Sequence, residues 1–316
     1  MRTRAALPTA PIAPVASVRR LQLQVAHRLD GLLQGDHLGY LPGPGTEPAE
    51  ARAYSPGDDV RRIDWAVTAR TGYPHVRDAV AERELETTLL IDLTASMSFG
   101  TARSEKREVA VALAAAVGHL AVGPGDRLAA VVLSEGVRRL PARPGRQAAL
   151  ALLHVLQRTR PGDGTGATLA DGLAAVTNPP RRRGLVVVVS DLVGGSPGRA
   201  ETDPSWGRPL RLLARRHDVV VVEIVDPREL ELPALGVLRL VDPESGRHLE
   251  VQTSDRRVRE RYAEAARSRR AGHAETVRRA GAGHLVLRTD RDWLPELAGF
   301  LAARRRLRAA GRRAGR

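Results

Sequence analysis

Residues Thr87-Thr88-Leu89-Leu90-Ile91-Asp92-Leu93-Thr94-Ala95-Ser96 decide how this chain is read. The apolar run is too short for a helix and carries no glycine or proline, so Thr87 to Leu93 reads as a strand. A helix from about Ser104 to Val122 follows and is stopped by Gly123, Pro124 and Gly125. Leu128 to Leu133 is a second strand, which turns at Glu135 and Gly136 into a short third one at Val137 to Leu140. Apolar runs alternating with helical segments are the pattern of βαβ units and a parallel sheet.

The same alternation continues outward. A helix near Arg146 to Arg158 leads into a glycine-rich loop from Pro161 to Gly166 and a helix beginning at Thr168. Leu185 to Val189 is an unbroken apolar run suited to a strand covered on both faces, and Asp218 to Val225 is another, after a helix near Pro209 to Arg216. Val237 to Val241 and His248 to Val251 flank Pro243 to Gly246 as a hairpin. A long charged helix over about Asp255 to Ala280, a last strand at Leu285 to Leu287 and a last helix from Trp293 to about Arg308 complete the pattern. The expectation is a Rossmann-like, doubly wound, mostly parallel α/β sheet with helices on both faces. It covers residues 87–303 and carries the hairpin as an insertion. Upstream lie a disordered tail with an amphipathic helix in 1–34, where Val18, Leu21, Val25, Leu29 and Leu32 share one face, and an arm in 35–86; an arginine-rich tail occupies 304–316.

Composition narrows the chemistry. The chain has 316 residues and no cysteine, which excludes disulfides, thiolate metal sites and cysteine nucleophiles, so any metal must sit on oxygen or imidazole. Aromatic residues make up 3%, so Val, Leu, Ile and Ala fill the core. A net charge of +14 raises a nucleic-acid reading through counterion release. Lys106 is the only lysine, and such a preference for arginine fits coding bias in a GC-rich genome better than selection for phosphate contacts. Arg304, Arg305, Arg306, Arg308, Arg312, Arg313 and Arg316 are read as a solvated, frayed tail. The proline-broken N-terminus does not fit a signal peptide, and no stretch approaches a membrane span, so the chain is expected to be cytoplasmic.

The chemical signal lies where strands end. Asp92, Thr94 and Ser96 place a carboxylate and two hydroxyls at two-residue spacing just beyond a strand; Thr168 opens a helix after a glycine loop; Asp191 ends the run Val189-Ser190-Asp191. Open α/β sheets place their sites at such ends. A donor set made only of hard oxygens matches Mg²⁺, with Mn²⁺ or Ca²⁺ as alternatives. Taken one at a time these residues are ordinary helix caps; their conjunction is what singles them out.

That conjunction resembles the von Willebrand factor A domains with a metal-ion-dependent adhesion site, whose pattern is DxSxS, then Thr, then Asp. Thr94 replaces the usual serine and keeps the hydroxyl. The resemblance implies Thr94, Ser96 and Thr168 as direct ligands, and Asp92 and Asp191 as ligands that act directly or through water.

Upstream, Tyr54-Ser55-Pro56-Gly57-Asp58-Asp59-Val60-Arg61-Arg62-Ile63-Asp64-Trp65, followed by Ala69-Arg70 and Glu82, is similar to the signature of the bacterial domain of unknown function 58 family. With the aspartate motif and the Asp242-Pro243-Glu244-Ser245-Gly246 hairpin, the match spans about Gly35 to Arg305. It implies a von Willebrand A-like domain that works beside a MoxR-type AAA+ ATPase. Read physically, Pro56-Gly57 sets a turn, and Asp58, Asp59, Arg61 and Asp64 form an ion network that clasps the arm to the sheet, or else a second surface for a partner.

An enzyme is the weaker expectation. A haloacid-dehalogenase-type phosphatase would carry an aspartate where Thr94 stands; no glycine loop precedes a lysine as in a P-loop; and His119, His154, His217, His248 and His284 have no nucleophile spaced to pair with them. The sequence therefore points to a metal-dependent binding module, with the ion open to an Asp or Glu of a protein partner. A basic nucleic-acid-binding protein is the alternative, and a metal-dependent hydrolase a more distant one.

Overall fold

The computed structural model describes residues 25, 28–29, 51–56, 58–77, 86–121, 125–160, 166–177, 183–193, 204–241 and 248–314. Its centre is a six-stranded sheet. In chain order the strands are β3 (Glu86–Asp92), β4 (Arg127–Leu133), β5 (Val137–Pro144), β6 (Leu185–Ser190), β7 (Asp218–Val225) and β10 (Gly283–Arg288). In space they run β10-β7-β6-β3-β4-β5. All neighbours are parallel except β5, which folds back antiparallel on β4. Two small antiparallel pairs lie outside it: β1 (Ala51–Ala53) with β2 (His75–Arg77), and β8 (Val237–Val241) with β9 (His248–Gln252).

Alternation along each strand sorts the apolar side chains into two layers. Leu89, Ile91, Val132, Val187 and Val222 face a core closed by α2 (Lys106–Leu120), α3 (Arg146–Arg158) and α7 (Leu294–Ala314). Leu90, Val131, Val188 and Val221 face a second core under α4 (Leu169–Thr177), α5 (Gly207–Ala214) and α6 (Arg256–Arg279). Burial on both faces is why these strands read as continuous β-branched runs rather than alternating ones. The doubly wound α/β architecture is thus as the sequence pattern implies. Val25 and Leu29, from the expected N-terminal helix, are buried in the first core, and Arg28 pairs with Asp292 at 2.5 Å. Val18, Leu21 and Leu32 lie outside the described residues.

Two expectations are corrected. The last helix does not stop near Arg308 but runs to Ala314, and Arg304 is no frayed residue: it makes an ion pair with Asp218 at the start of β7. Arginine is a good helix former, and that pair fixes the run to the start of β7. The arm, in which the sequence pattern gave no helix, contains a short one, α1 (Trp65–Thr71). Seven residues give too little periodicity to show in a sequence.

The connections determine where a site can form. The chain leaves β3 through α2 on one face and leaves β6 through α5 on the other. Since β3 and β6 are neighbours, a crevice opens between their carboxyl ends, the position where open α/β sheets bind ligands.

Candidate functional site

Asp92 and Ser190 are the last residues of β3 and β6, and the parallel register sets them side by side. The Ser190 hydroxyl donates to Asp92 Oδ2 at 2.7 Å. The other oxygen, Oδ1, accepts from the Thr94 amide at 2.9 Å and from the Thr94 hydroxyl at 2.7 Å. Past β3 the chain enters a single 3-10 turn, Ala95–Ser98, which brings Thr94 Oγ1 within 3.4 Å of Ser96 Oγ. Asp92, Thr94 and Ser96 therefore converge, and both Asp92 and Ser96 are buried.

Beyond β6 the backbone turns sharply. Leu192 takes φ 58°, in a left-handed region that costs a bulky residue on the order of 1 kcal/mol or more. The turn aims two amides back at the strand end: Leu192 N–H donates to Ser190 Oγ at 3.0 Å, and Val193 N–H to Asp191 Oδ1 at 3.0 Å. Asp191, 3% exposed, is thus held beside Asp92. Burial pushes the Asp92 carboxyl above its ordinary range, and the charge of Asp191 adds to the effect.

The other oxygen of Asp191 meets a residue that the sequence pattern passed over. Lys106, the single lysine, opens α2 and is fully buried; its Nζ donates to Asp191 Oδ2 and to Glu229 Oε1, both at 2.6 Å. Burial alone would push this ammonium down, but Asp191 and Glu229 outweigh it and hold the group above the usual lysine range. Glu229 is raised by burial, against the pull of Lys106. Its second oxygen accepts the Asp226 amide at 3.0 Å, and Asp226, wholly buried, accepts from Thr101 and from the Thr289 hydroxyl. One buried polar network therefore joins the ends of β3, β6, β7 and β10.

Ser190, Lys106, Asp226 and Glu229 were missed because each pairs across scores of residues. The signals present were Asp226-Pro227-Arg228-Glu229, a capping box after a strand, and a lone lysine in an arginine composition. Thr168 shares no hydrogen bond with the other four among the described residues. Exposed, it caps α4 reciprocally with Asp171: its hydroxyl and amide donate to Asp171 Oδ2 at 2.7 and 2.9 Å. Its loop reaches the same edge of the sheet, since the Gly166 backbone packs on the Ser134 carbonyl just past β4.

In the upstream motif the carboxylates serve as caps. Asp58 Oδ2 accepts from Ser55 N–H, Asp59 Oδ1 from Arg61 N–H, and the buried Asp64 from the amides of Ala66 and Val67 at the start of α1. Tyr54 N–H donates to Pro74 O and ties the strand β1 side to the end of the unit. Trp65 and Arg70 are exposed; Gly57 and Glu82 lie outside the described residues.

Among the described residues no three His, Asp or Glu side chains cluster as metal ligands, so a metal here would rest on two carboxylates and on hydroxyls. That donor set fits a hard dication. Two ligands at right angles on Mg²⁺ or Ca²⁺ stand roughly 2.9 to 3.7 Å apart, and the Thr94 and Ser96 hydroxyls, at 3.4 Å, lie in that range.

The protein is thus a doubly wound α/β domain with an acid and hydroxyl cluster at its switch point. Residues 50–272 match the family described as "Protein of unknown function DUF58", and the chain belongs to that family. It is 48% identical over 299 residues to the uncharacterized protein Rv1480 of Mycobacterium tuberculosis, covering 94% of this chain and 91% of that one. Among solved structures it is similar to the conserved hypothetical protein BatB of Bacteroides thetaiotaomicron, with TM-score 0.41 and 13% identity over 69% of this chain and 98% of that one. It is also similar to a von Willebrand factor type A protein of Catenulispora acidiphila, with TM-score 0.34 and 18% identity over 61% of this chain and 43% of that one. No helix among the described residues is long and apolar enough to cross a membrane.

Proposed function

We propose that this protein is a metal-dependent protein-interaction module rather than an enzyme. Asp92, Thr94, Ser96, Thr168 and Asp191 hold a divalent cation, Mg²⁺ first, with Mn²⁺ or Ca²⁺ as substitutes. The observation that carries this reading is the pairing of two buried carboxylates, Asp92 and Asp191, beside a converging pair of hydroxyls. Burying like charges together is costly unless a cation joins them, and Lys106 is shared with Glu229. When bound, the ion supplies an open coordination position for an Asp or Glu side chain of a partner. The chain's own part is to orient the hydroxyls, through the 3-10 turn after β3, and to fix both carboxylates with backbone amides. The family resemblance points to a MoxR-type AAA+ ATPase as the associated machine, in a chaperone-like or assembly role, with energy supplied by that second protein.

The test is calorimetric titration of Mg²⁺ and Mn²⁺ into metal-free protein, beside an Asp92→Ala, Asp191→Ala double variant verified as folded. Saturable binding that disappears in the variant supports the site. Equal heats in both proteins, with and without acetate as a carboxylate probe, would refute it.

A further inference from the structure

Lys106 stands where a helix least favours a cation. It is the first residue of α2, at the positive end of the helix dipole, and every polar contact of its ammonium is made outside the helix. The N-terminus of α2 is served instead by Glu105 and Glu108, which form a capping box. A flexible, strongly hydrated side chain is therefore held fully buried, its Nζ 2.6 Å from both Asp191 Oδ2 and Glu229 Oε1 and 5.7 Å from the centre of the Phe99 ring. The helix gains nothing from this placement. Asp191 does: Lys106 takes its Oδ2 while Val193 N–H takes Oδ1, which fixes the carboxylate at both oxygens.

Resting on the metal-centre reading above, we propose that Lys106 is a tethered cation that sets the charge of the site. It lowers intrinsic affinity for the metal and raises the affinity of the bound metal for a carboxylate. Asp92, Asp191 and Glu229 carry three negative charges and Lys106 one positive, so a dication offsets the charge of these four groups, with Asp226 a further carboxylate behind Glu229. Without Lys106 the same dication sits in a net negative cluster, which holds it more tightly and repels an incoming carboxylate. Glu229 tunes the device by drawing part of the ammonium's charge away from Asp191. Lys106 is thus a positioning and specificity residue for partner recognition, and the site is built to be completed by a partner rather than to store metal.

The experiment measures Mn²⁺ affinity by calorimetry and acetate affinity of the Mn²⁺-loaded protein by water proton relaxation. It compares the intact chain with Lys106→Met, Glu229→Gln and Asp92→Ala. Lys106→Met is expected to bind Mn²⁺ about tenfold tighter and acetate about tenfold more weakly; Glu229→Gln, which keeps the Lys106–Asp191 pair, is expected to shift both affinities the other way. If Lys106→Met fails to fold, the direction of the Glu229→Gln shifts decides. Mn²⁺ binding that needs Asp92 but is unmoved by either variant, or moved in the reverse direction, overturns the role of Lys106 and leaves the metal centre standing. Absence of Mn²⁺ binding in every protein, with or without acetate, overturns the metal centre and this proposal together.

Discussion

Two carboxylates are buried on the same side of the sheet, and their surroundings differ in sign. Asp92 is raised by burial and by a neighbouring carboxylate. Glu223, on β7, is equally hidden, and burial would raise it as well. Yet hydrogen bonds and charge from His273 and His284 bring it down to about 2. His273 Nδ1 lies 3.4 Å from one oxygen, His284 Nε2 3.0 Å from the other, and Arg270 Nε 3.7 Å away; Trp206 packs its edge against His273 at 5.8 Å. The Glu223 cluster is a closed account of charge that ties α6 and β10 to β7. The Asp92 cluster is left short of positive charge, and the proposed metal site rests on that difference.

The largest expected effect breaks the satisfied cluster. Glu223→Ala should lower stability by about 3 kcal/mol at neutral pH, read as the urea midpoint, because the depressed carboxyl contributes roughly that much. The sign follows from the depressed pKa: the contribution is fully present above the unfolded value of 4.5 and is lost as pH falls from there toward 2. An acid titration of the variant should therefore be flatter than that of the intact protein over this window.

Next comes Gly166→Ala. A methyl there collides with the Ser134 carbonyl, so the loop carrying Thr168 must shift. If Thr168 serves the metal, Mn²⁺ affinity should fall about tenfold, or about 1.4 kcal/mol, while circular dichroism stays native. An unchanged affinity would remove Thr168 from the ligand set and leave it as the cap of α4. Asp64→Ala, which deletes two capping bonds of α1, should cost about 1 kcal/mol and leave metal binding untouched. That outcome would sharpen the reading of the upstream motif as a structural unit.

Asp92→Asn should give the smallest change in stability, within about 1 kcal/mol, although it lies as deep as Glu223. The amide oxygen can keep both Thr94 bonds, its NH₂ can donate to Ser190 Oγ, and burial disfavours the charge that the variant removes. A loss as large as that of Glu223→Ala would erase the contrast between the two clusters.

The strands and most helices were legible because they are written locally. Leu185 to Val189 announces a doubly covered strand, and the hairpin strands begin at the expected residues, Val237 and His248. The arm was harder: Asp59 and Asp64 look like members of a charge pattern, and only folding shows that their oxygens face backbone amides. The arginine run after Trp293 reads as a tail because a sequence gives no hint that Asp218, at the far start of β7, waits for Arg304.

By itself the sequence determined the class of fold, the strand ends at which chemistry can occur and an oxygen-only donor set, since period, breakers and residue type act over a few residues. The tertiary structure decided which of those donors meet. Asp92 and Ser190 become neighbours only through the β3–β6 register, and Lys106 reaches Asp191 across 85 positions because α2 starts over the end of β6. Electrostatic pairing depends on distance in space, and strand order sets that distance.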